Sequence, residues 1–428
     1  MSATVAQELV SGLYDARART LALVGDLRGA QLLGPLLPIV NPPLWELGHV
    51  AWFHERWEWR HLRGLPPLRD DGDGLYDSAK VAHDTRWELP LPSIDDTKHY
   101  AATILERVAE RLSGHAVADD EVYFHTLGML HEDMHGEAFA YTRQTLGYSN
   151  PLPALSIPSA APLSGDAAVP GGSFALGAAQ TAPFVFDNEK WAHEVHLEPF
   201  RIARTAVSNS QFADFVDAGG YAGREFWSEP GWLWRQGVGA HHPVYWRKND
   251  AQQWEERVFD RWIPLRKDHP AVHVCWYEAD AYCHWAGRRL PSEREWEVAA
   301  AGEVKDGRLD TRKRLHPWGD EPPSAQRANL DGAFGGTAPV HAFPAGDSAC
   351  GCRQMCGNVW EWTADDFLPY PGFVLDPYNE YSAPWFGNHK VLRGGCWTTR
   401  FHLIRNTWRN FYTPDRRDVF AGFRTCAA

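Results

Sequence analysis

The stretch Leu130-His131-Glu132-Asp133-Met134-His135-Gly136-Glu137 carries the residue types best able to do chemistry in this chain. It lies within Glu121 to Leu146, a run whose apolar residues Val122, Leu127, Leu130, Phe139 and Leu146 keep broadly to one helical face. Two histidines four apart on a helix point the same way, one turn above the other. Both imidazoles can therefore reach one metal ion without bending the backbone. A third histidine, His49, sits in the segment Asn41 to Trp52, which reads as the start of another helix. We expect His49, His131 and His135 to converge on one metal that keeps open positions.

These side chains need helices to hold them, and residues 1–148 read as helical. Val5, Leu9, Leu13, Leu21 and Val24 mark a first helix. Pro43 precedes the run Leu44 to Leu62 and suits a helix start, because proline is tolerated in the first turn. A loop rich in Gly, Pro and Asp spans Gly64 to Pro92, and a third helix runs from Ile94 to Leu112 with Asp95, Asp96, Lys98 and Arg107 on its polar face. With the histidine-bearing run as the fourth, the expectation is an antiparallel four-helix bundle whose core can house a metal. Residues 149–170 contain Pro151, Pro153, Pro158, Pro162 and Pro170 among small residues, and read as an extended linker. From residue 171 to 428 the texture is short strands, glycines and tryptophans, with helical runs only at Ser208 to Ala218 and Trp276 to Ala286.

Length allows two or three domains, and 44% hydrophobic with 23% charged residues is ordinary for a soluble protein. A net charge of −13 with no basic stripe argues against nucleic acid as a partner. No run approaches the ~18 apolar residues of a membrane span, and the N-terminus lacks a signal-peptide pattern. Cytoplasmic location is therefore the expectation, and the seven cysteines are expected to be reduced thiols.

Five motifs follow in order: Arg289-Leu290-Pro291-Ser292-Glu293-Arg294-Glu295-Trp296-Glu297, Pro317-Trp318-Gly319-Asp320, Gly357-Asn358-Val359-Trp360-Glu361-Trp362, Val391-Leu392-Arg393-Gly394-Gly395-Cys396-Trp397 and Ala421-Gly422-Phe423-Arg424. Together they resemble the formylglycine-generating-enzyme (sulfatase-modifying) fold, a C-type-lectin-like α+β domain. The N-terminal part resembles a DinB-like four-helix bundle. The pairing is similar to the ergothioneine-type sulfoxide synthases and their relative, selenoneine synthase, over nearly the whole chain. The resemblance implies a multidomain α and α+β protein in which His49, His131 and His135 bind Fe(II). It also implies that O2 is activated to join a sulfur or selenium donor to the imidazole C2 of hercynine. Such a C2–H is unreactive toward a thiol at neutral pH, so an oxidant must be generated, and an iron with open positions can supply it. A quaternary ammonium substrate wants aromatic faces. The segment Trp408-Arg409-Asn410-Phe411-Tyr412 offers them, with Arg409 or Asn410 to meet the substrate carboxylate.

Departures from the sulfoxide-synthase pattern bear on the donor. Glutamylcysteine-using members carry two arginines ahead of a Leu-Pro-Leu stretch; here Arg86 stands with His83 before Leu89-Pro90-Leu91. They also place an Asp where this chain has Tyr412. The family's active-site tyrosine falls at Phe373, with Tyr370 close by as the catalytic candidate. Loss of an arginine and an acid favours a neutral hydroxylated donor, a selenosugar, over cysteine or γ-glutamylcysteine, and so favours selenoneine synthase over a sulfoxide synthase.

Other readings compete. His131-Glu132-Asp133-Met134-His135 also matches the His-Glu-x-x-His zinc-hydrolase helix, with Glu132 as general base, although Tyr141 stands where the extended motif needs a third histidine. Alone, His49 reads as a hydrogen-bonded core histidine. His54 and His125 read as structural or surface, and Glu137 either orients a ligand or is exposed. Cys350, Cys352 and Cys356 read as ordinary thiols rather than a zinc knuckle. After Cys396 only Cys426 remains, so the cysteine-pair chemistry of formylglycine-generating enzymes is not expected. A binding module is the non-enzyme reading.

Overall fold

In the computed structural model, which describes residues 3–112 and 117–428, the chain divides after Leu152 into two compact units. The N-terminal unit contains the long helices α1 (Ala3–Val24), α2 (Pro43–His54), α4 (Ile94–Leu112) and α5 (Asp119–Leu146), with a short α3 (Gly72–Tyr76) between α2 and α4. Both α1 and α2 pack against α4 and α5. Every residue of α2 is buried, including Glu46, His49 and His54. A helix closed to solvent all round belongs at the centre of its domain.

Pro43 lies in the first turn of α2, where its missing N–H has no intrahelical partner to lose. The helix continues into a π-helical turn, Glu55–His61, in which the Leu62 N–H reaches the Trp57 carbonyl at 3.0 Å. Gly147, in the left-handed conformation at φ 67°, ends α5. Just before it, Arg143 grips Asp26 at 2.7 and 2.8 Å and ties α5 to the chain leaving α1. The expected loop 64–92 holds more order than its Gly and Pro content implies, since it contains α3 and the 3-10 turn His83–Trp87.

The C-terminal unit is α+β. One four-stranded sheet runs Asp166–Val169, Phe200–Ala203, Cys426–Ala427, Arg288–Arg289 in spatial order; the other runs Arg409–Tyr412, Lys390–Arg393, Trp360–Asp366, Ala421–Gly422. Residues at the end of the sequence thus pair with strands from earlier in this unit, Cys426 lying opposite both Ile202 and Arg289. Four helices flank the sheets: α6 (Asn209–Asp217), α7 (Glu229–Gly237), α8 (Trp276–Trp285) and α9 (Glu293–Ala301). Ser208 and Ser292 cap α6 and α9, each in a box closed by Gln211 or Glu295.

Two expectations change here. Residues 166–169, assigned from composition to the linker, form an edge strand because Ala167 and Val169 alternate into the core. Helices α7 and α9 and most of the strands fall in what reads as loop. Arg288–Arg289, Ala421–Gly422 and Cys426–Ala427 are too short to show alternation, and Glu361, Arg393 and Arg409 put buried charge into the other strands of the central sheets. No helix among the described residues is long and apolar enough to cross a membrane.

Candidate metal centre

His131 and His135 stand one turn apart on α5, and His49 approaches from α2. Their ring centroids are 5.2 Å (His49 to His131), 4.9 Å (His49 to His135) and 4.5 Å (His131 to His135) apart. One nitrogen from each lies within 4.8 Å of the others, and among the described residues this is the one grouping of His, Cys, Asp and Glu able to hold a metal.

Local sequence explains the convergence. A Cβ on Gly48 would lie 2.2 Å from the Tyr76 ring, so only glycine lets that ring press against α2 beside His49. The Tyr76 carbonyl, brought close, accepts a hydrogen bond from His49 Nδ1 at 2.8 Å. A carbonyl can only accept, so Nδ1 carries the proton and Nε2 keeps its lone pair for a metal. His135 Nδ1 is bonded likewise to Glu46 Oε1 at 2.6 Å, across from α5 to α2. Rings hold the remaining freedom: Trp45 stacks on His49 at 4.9 Å, and Phe53 lies flat on His131 at 3.5 Å. Burial, then repulsion from His135, holds His49 and His131 well below the usual imidazole range. Both are neutral at pH 7, the state that ligates. Three imidazoles with their outer faces fixed by acceptors and rings fit a borderline divalent metal.

The hydrolase reading fails at Glu132. Its carboxylate is buried and turned from the cluster, held by Arg17 Nε at 2.7 Å, by Arg17 Nη2 at 3.1 Å and by His54 Nε2 at 2.8 Å. A carboxylate so paired, its pKa held well below the usual range against the opposing effect of burial, cannot act as general base at the metal. Glu137 is buried, which removes its reading as an exposed carboxylate.

Around the cluster, Arg86 lies over Trp45 at 3.9 Å and donates to Asn41 Oδ1 at 2.6 Å and the Val81 carbonyl at 3.2 Å. His83, on the same 3-10 turn, bonds the Val40 carbonyl through Nε2 at 2.8 Å. In the C-terminal unit the expected substrate segment is the strand Arg409–Tyr412. Phe411 stacks on Phe367 at 4.1 Å, Phe367 meets Phe386 at 4.8 Å, and Phe386 meets Phe373 at 5.1 Å. Phe373 and Phe411, far apart in sequence, thus belong to one aromatic row. Asn410 and Tyr412 are half-buried beside it.

Two expected site residues turn out to be internal. Arg409 is 1% exposed and bonded to both Glu293 oxygens at 2.7 and 3.0 Å, so its carboxylate partner is Glu293 and not a substrate. Tyr370 is buried in an apolar cluster with its ring under Arg409, and its hydroxyl donates to the same Glu293 at 3.3 Å. Burial raises its pKa far above the ordinary phenol, which opposes a role as proton shuttle in the reaction.

Known families match both units. The DinB superfamily matches residues 13–137, and the sulfatase-modifying factor enzyme 1-like domain matches residues 155–428. Hercynine oxygenase of Mycobacterium tuberculosis is 39% identical over 434 residues, covering 98% of this chain and 99% of that protein. The chain belongs to the hercynine oxygenase family. The formylglycine-generating enzyme of Thermomonospora curvata is 35% identical over 303 residues, 62% of this chain and 93% of that protein. The structure of PvdO from Pseudomonas aeruginosa covers 60% of this chain and 92% of its own at 25% identity, with a TM-score of 0.39.

For this family member, sequence reasoning missed the groups that orient the imidazoles. Glu46 and the Tyr76 carbonyl carry no motif of their own. Their one signal is an acid in a helix with no exposed face, which must be paired with something. The same signal marks His54 and His125, whose partners are Glu58 and Glu132.

Proposed function

We propose that this protein is a non-heme Fe(II), O2-dependent synthase that forms a carbon–selenium bond at the imidazole C2 of hercynine, with a selenosugar as donor. The observation that carries the reading is the buried three-histidine cluster, oriented by Glu46 and Tyr76, in a chain of the hercynine oxygenase family. His49, His131 and His135 would hold Fe(II), which would supply with O2 the oxidising chemistry that the unreactive C2–H requires. Within the C-terminal unit, the phenylalanine row from Phe411 to Phe373 has the ring faces that suit a trimethylammonium group. Asn410, whose Oδ1 accepts from the Phe411 N–H, has an NH2 donor of the kind a carboxylate takes.

For the donor, Arg86 and His83 are the groups to consider, with Tyr412. Two of the five Arg86 N–H groups are taken by Asn41 and Val81. The support for a neutral hydroxylated donor is that His83 and Tyr412 stand where glutamylcysteine-using relatives carry an arginine and an acid. All seven cysteines are free thiols, which suits a reducing cytoplasm.

The second reading is an ergothioneine-type sulfoxide synthase using cysteine or γ-glutamylcysteine, favoured by the identity to proteins named hercynine oxygenase. A donor competition separates the two. Purified protein with Fe(II), O2 and hercynine is offered a selenosugar, cysteine and γ-glutamylcysteine, and products are resolved by mass. A selenium adduct of hercynine is expected. A sulfoxide from either thiol in its place overturns the donor assignment and leaves the metal centre standing.

A further inference from the structure

One cluster of ionisable groups in the N-terminal unit lies outside the ligand set. His54, at the end of α2, bonds Glu58 Oε1 through Nδ1 at 2.5 Å and Glu132 Oε2 through Nε2 at 2.8 Å. Glu58, on the π-helical turn, takes His125 Nδ1 on its second oxygen at 2.6 Å. Glu132 closes the chain on Arg17 of α1 at 2.7 Å. All five side chains are 4% exposed or less. None can touch solvent or substrate.

Their places in the sequence give the cluster its meaning. His54 follows ligand His49 on the same helix, and Glu132 is the neighbour of ligand His131. His125 lies on α5 ahead of both α5 ligands. The α2 segment and α5 are thus cross-linked twice, at His54–Glu132 and Glu58–His125, and His54–Glu58 ties the two links together. Gly128 sits between them on α5. A Cβ there would lie 1.9 Å from Glu58 Oε1 and 2.8 Å from His54 Nδ1, so the absence of a side chain sets how closely the helices approach. The π-helical turn, an irregularity with no proline to cause it, carries Glu58 into that gap.

We propose that this buried network, with Glu58 at its centre and Gly128 making room for it, fixes the spacing of α2 and α5 and so holds His49 at ligating distance from His131 and His135. Glu58, His54, His125 and Glu132 are positioning residues for the metal centre. The inference rests on the three-histidine reading of that centre.

The test uses Co(II) as a spectroscopic probe of the site in the full chain. Wild type, Glu58→Gln and Gly128→Ala are titrated with Co(II), and the visible d–d spectrum and dissociation constant are read. Circular dichroism and metal-free thermal unfolding are run alongside. A loss of Co(II) affinity and a changed spectrum are expected for Glu58→Gln, in protein whose metal-free fold is intact. Gly128→Ala is expected to change the spectrum in the same sense. Wild-type affinity and spectrum in a folded Glu58→Gln overturn the proposal and leave the metal reading in place. Should Glu58→Gln fail to fold, His125→Leu, which removes the Glu58–His125 link, is judged by the same criterion. Wild type that binds no Co(II), or His49→Ala that binds as well as wild type, overturns the metal reading and the network's role with it.

Discussion

In the N-terminal unit, buried charges join long helices: Glu132 on α5 meets Arg17 on α1 and His54 on α2. In the C-terminal unit, they join one helix to strands and loops. Glu293 and Glu297 on α9 meet Arg393 at 2.8 and 2.5 Å, Glu293 also holds Arg409, and Glu361 takes both Trp296 and Arg424 at 2.7 and 2.6 Å. The helices of the first unit would form without their ions, because apolar faces specify them, and the ions set how the helices stand around the histidines. The short strands of the second unit have few ladder bonds, and there the arginine–carboxylate pairs stand in for regular structure. One device adjusts a site in one region and holds up a fold in the other.

That contrast can be broken from either side. His131→Ala is expected to abolish metal binding and turnover while the C-terminal unit stays folded, read by metal content and by near-ultraviolet circular dichroism, to which the tryptophans contribute. Metal retained in that variant would end the ligand assignment. Glu293→Ala leaves Arg393 and Arg409 buried with a missing partner, a change that destabilises by about 3–5 kcal/mol. It should appear in chemical denaturation as early loss of the C-terminal unit, with the metal still bound; an unchanged midpoint would show the pairs to be dispensable.

A pH series sharpens the comparison further. Burial pulls His54 down, but Glu58 and Glu132 together raise it to about 9 from an ordinary 6.5. A group whose folded pKa is raised contributes fully below its unfolded pKa and loses that contribution as pH climbs through the folded one. Stability of the N-terminal unit should therefore fall between about pH 6.5 and 9, by on the order of 3 kcal/mol. A flat profile over that range, or one that persists in His54→Gln, would remove the imidazolium from the network. The smallest effect expected is at Glu46→Gln, which keeps an acceptor for His135 but loses the carboxylate. Metal affinity should drop about tenfold, at the low end for such outer partners. An isothermal titration showing no change would mean that the rings alone orient His135.

The fold was legible where the signal is local. The four long helices lie where their apolar faces place them, and Ile94–Leu112 has the expected ends. The C-terminal unit was legible through motifs rather than pattern. Glu293, Glu297, Trp296 and Arg393 are motif residues, and their role in the structure is to pair or pack with one another. Arg409 was read as a substrate contact because an arginine beside aromatics fits a carboxylate. The carboxylate it meets, Glu293, lies 116 residues away, and no local rule pairs them.

Sequence alone determined that His131 and His135 share a helical face, since a separation of four residues is a property of the helix itself. Tertiary structure decided the rest: that His49 completes the cluster, that Glu132 turns to Arg17 and His54, and that Glu46 and the Tyr76 carbonyl fix the imidazoles. Each depends on which distant side chain packing leaves within 3 Å in a space closed to water, where an ionised group must find a partner.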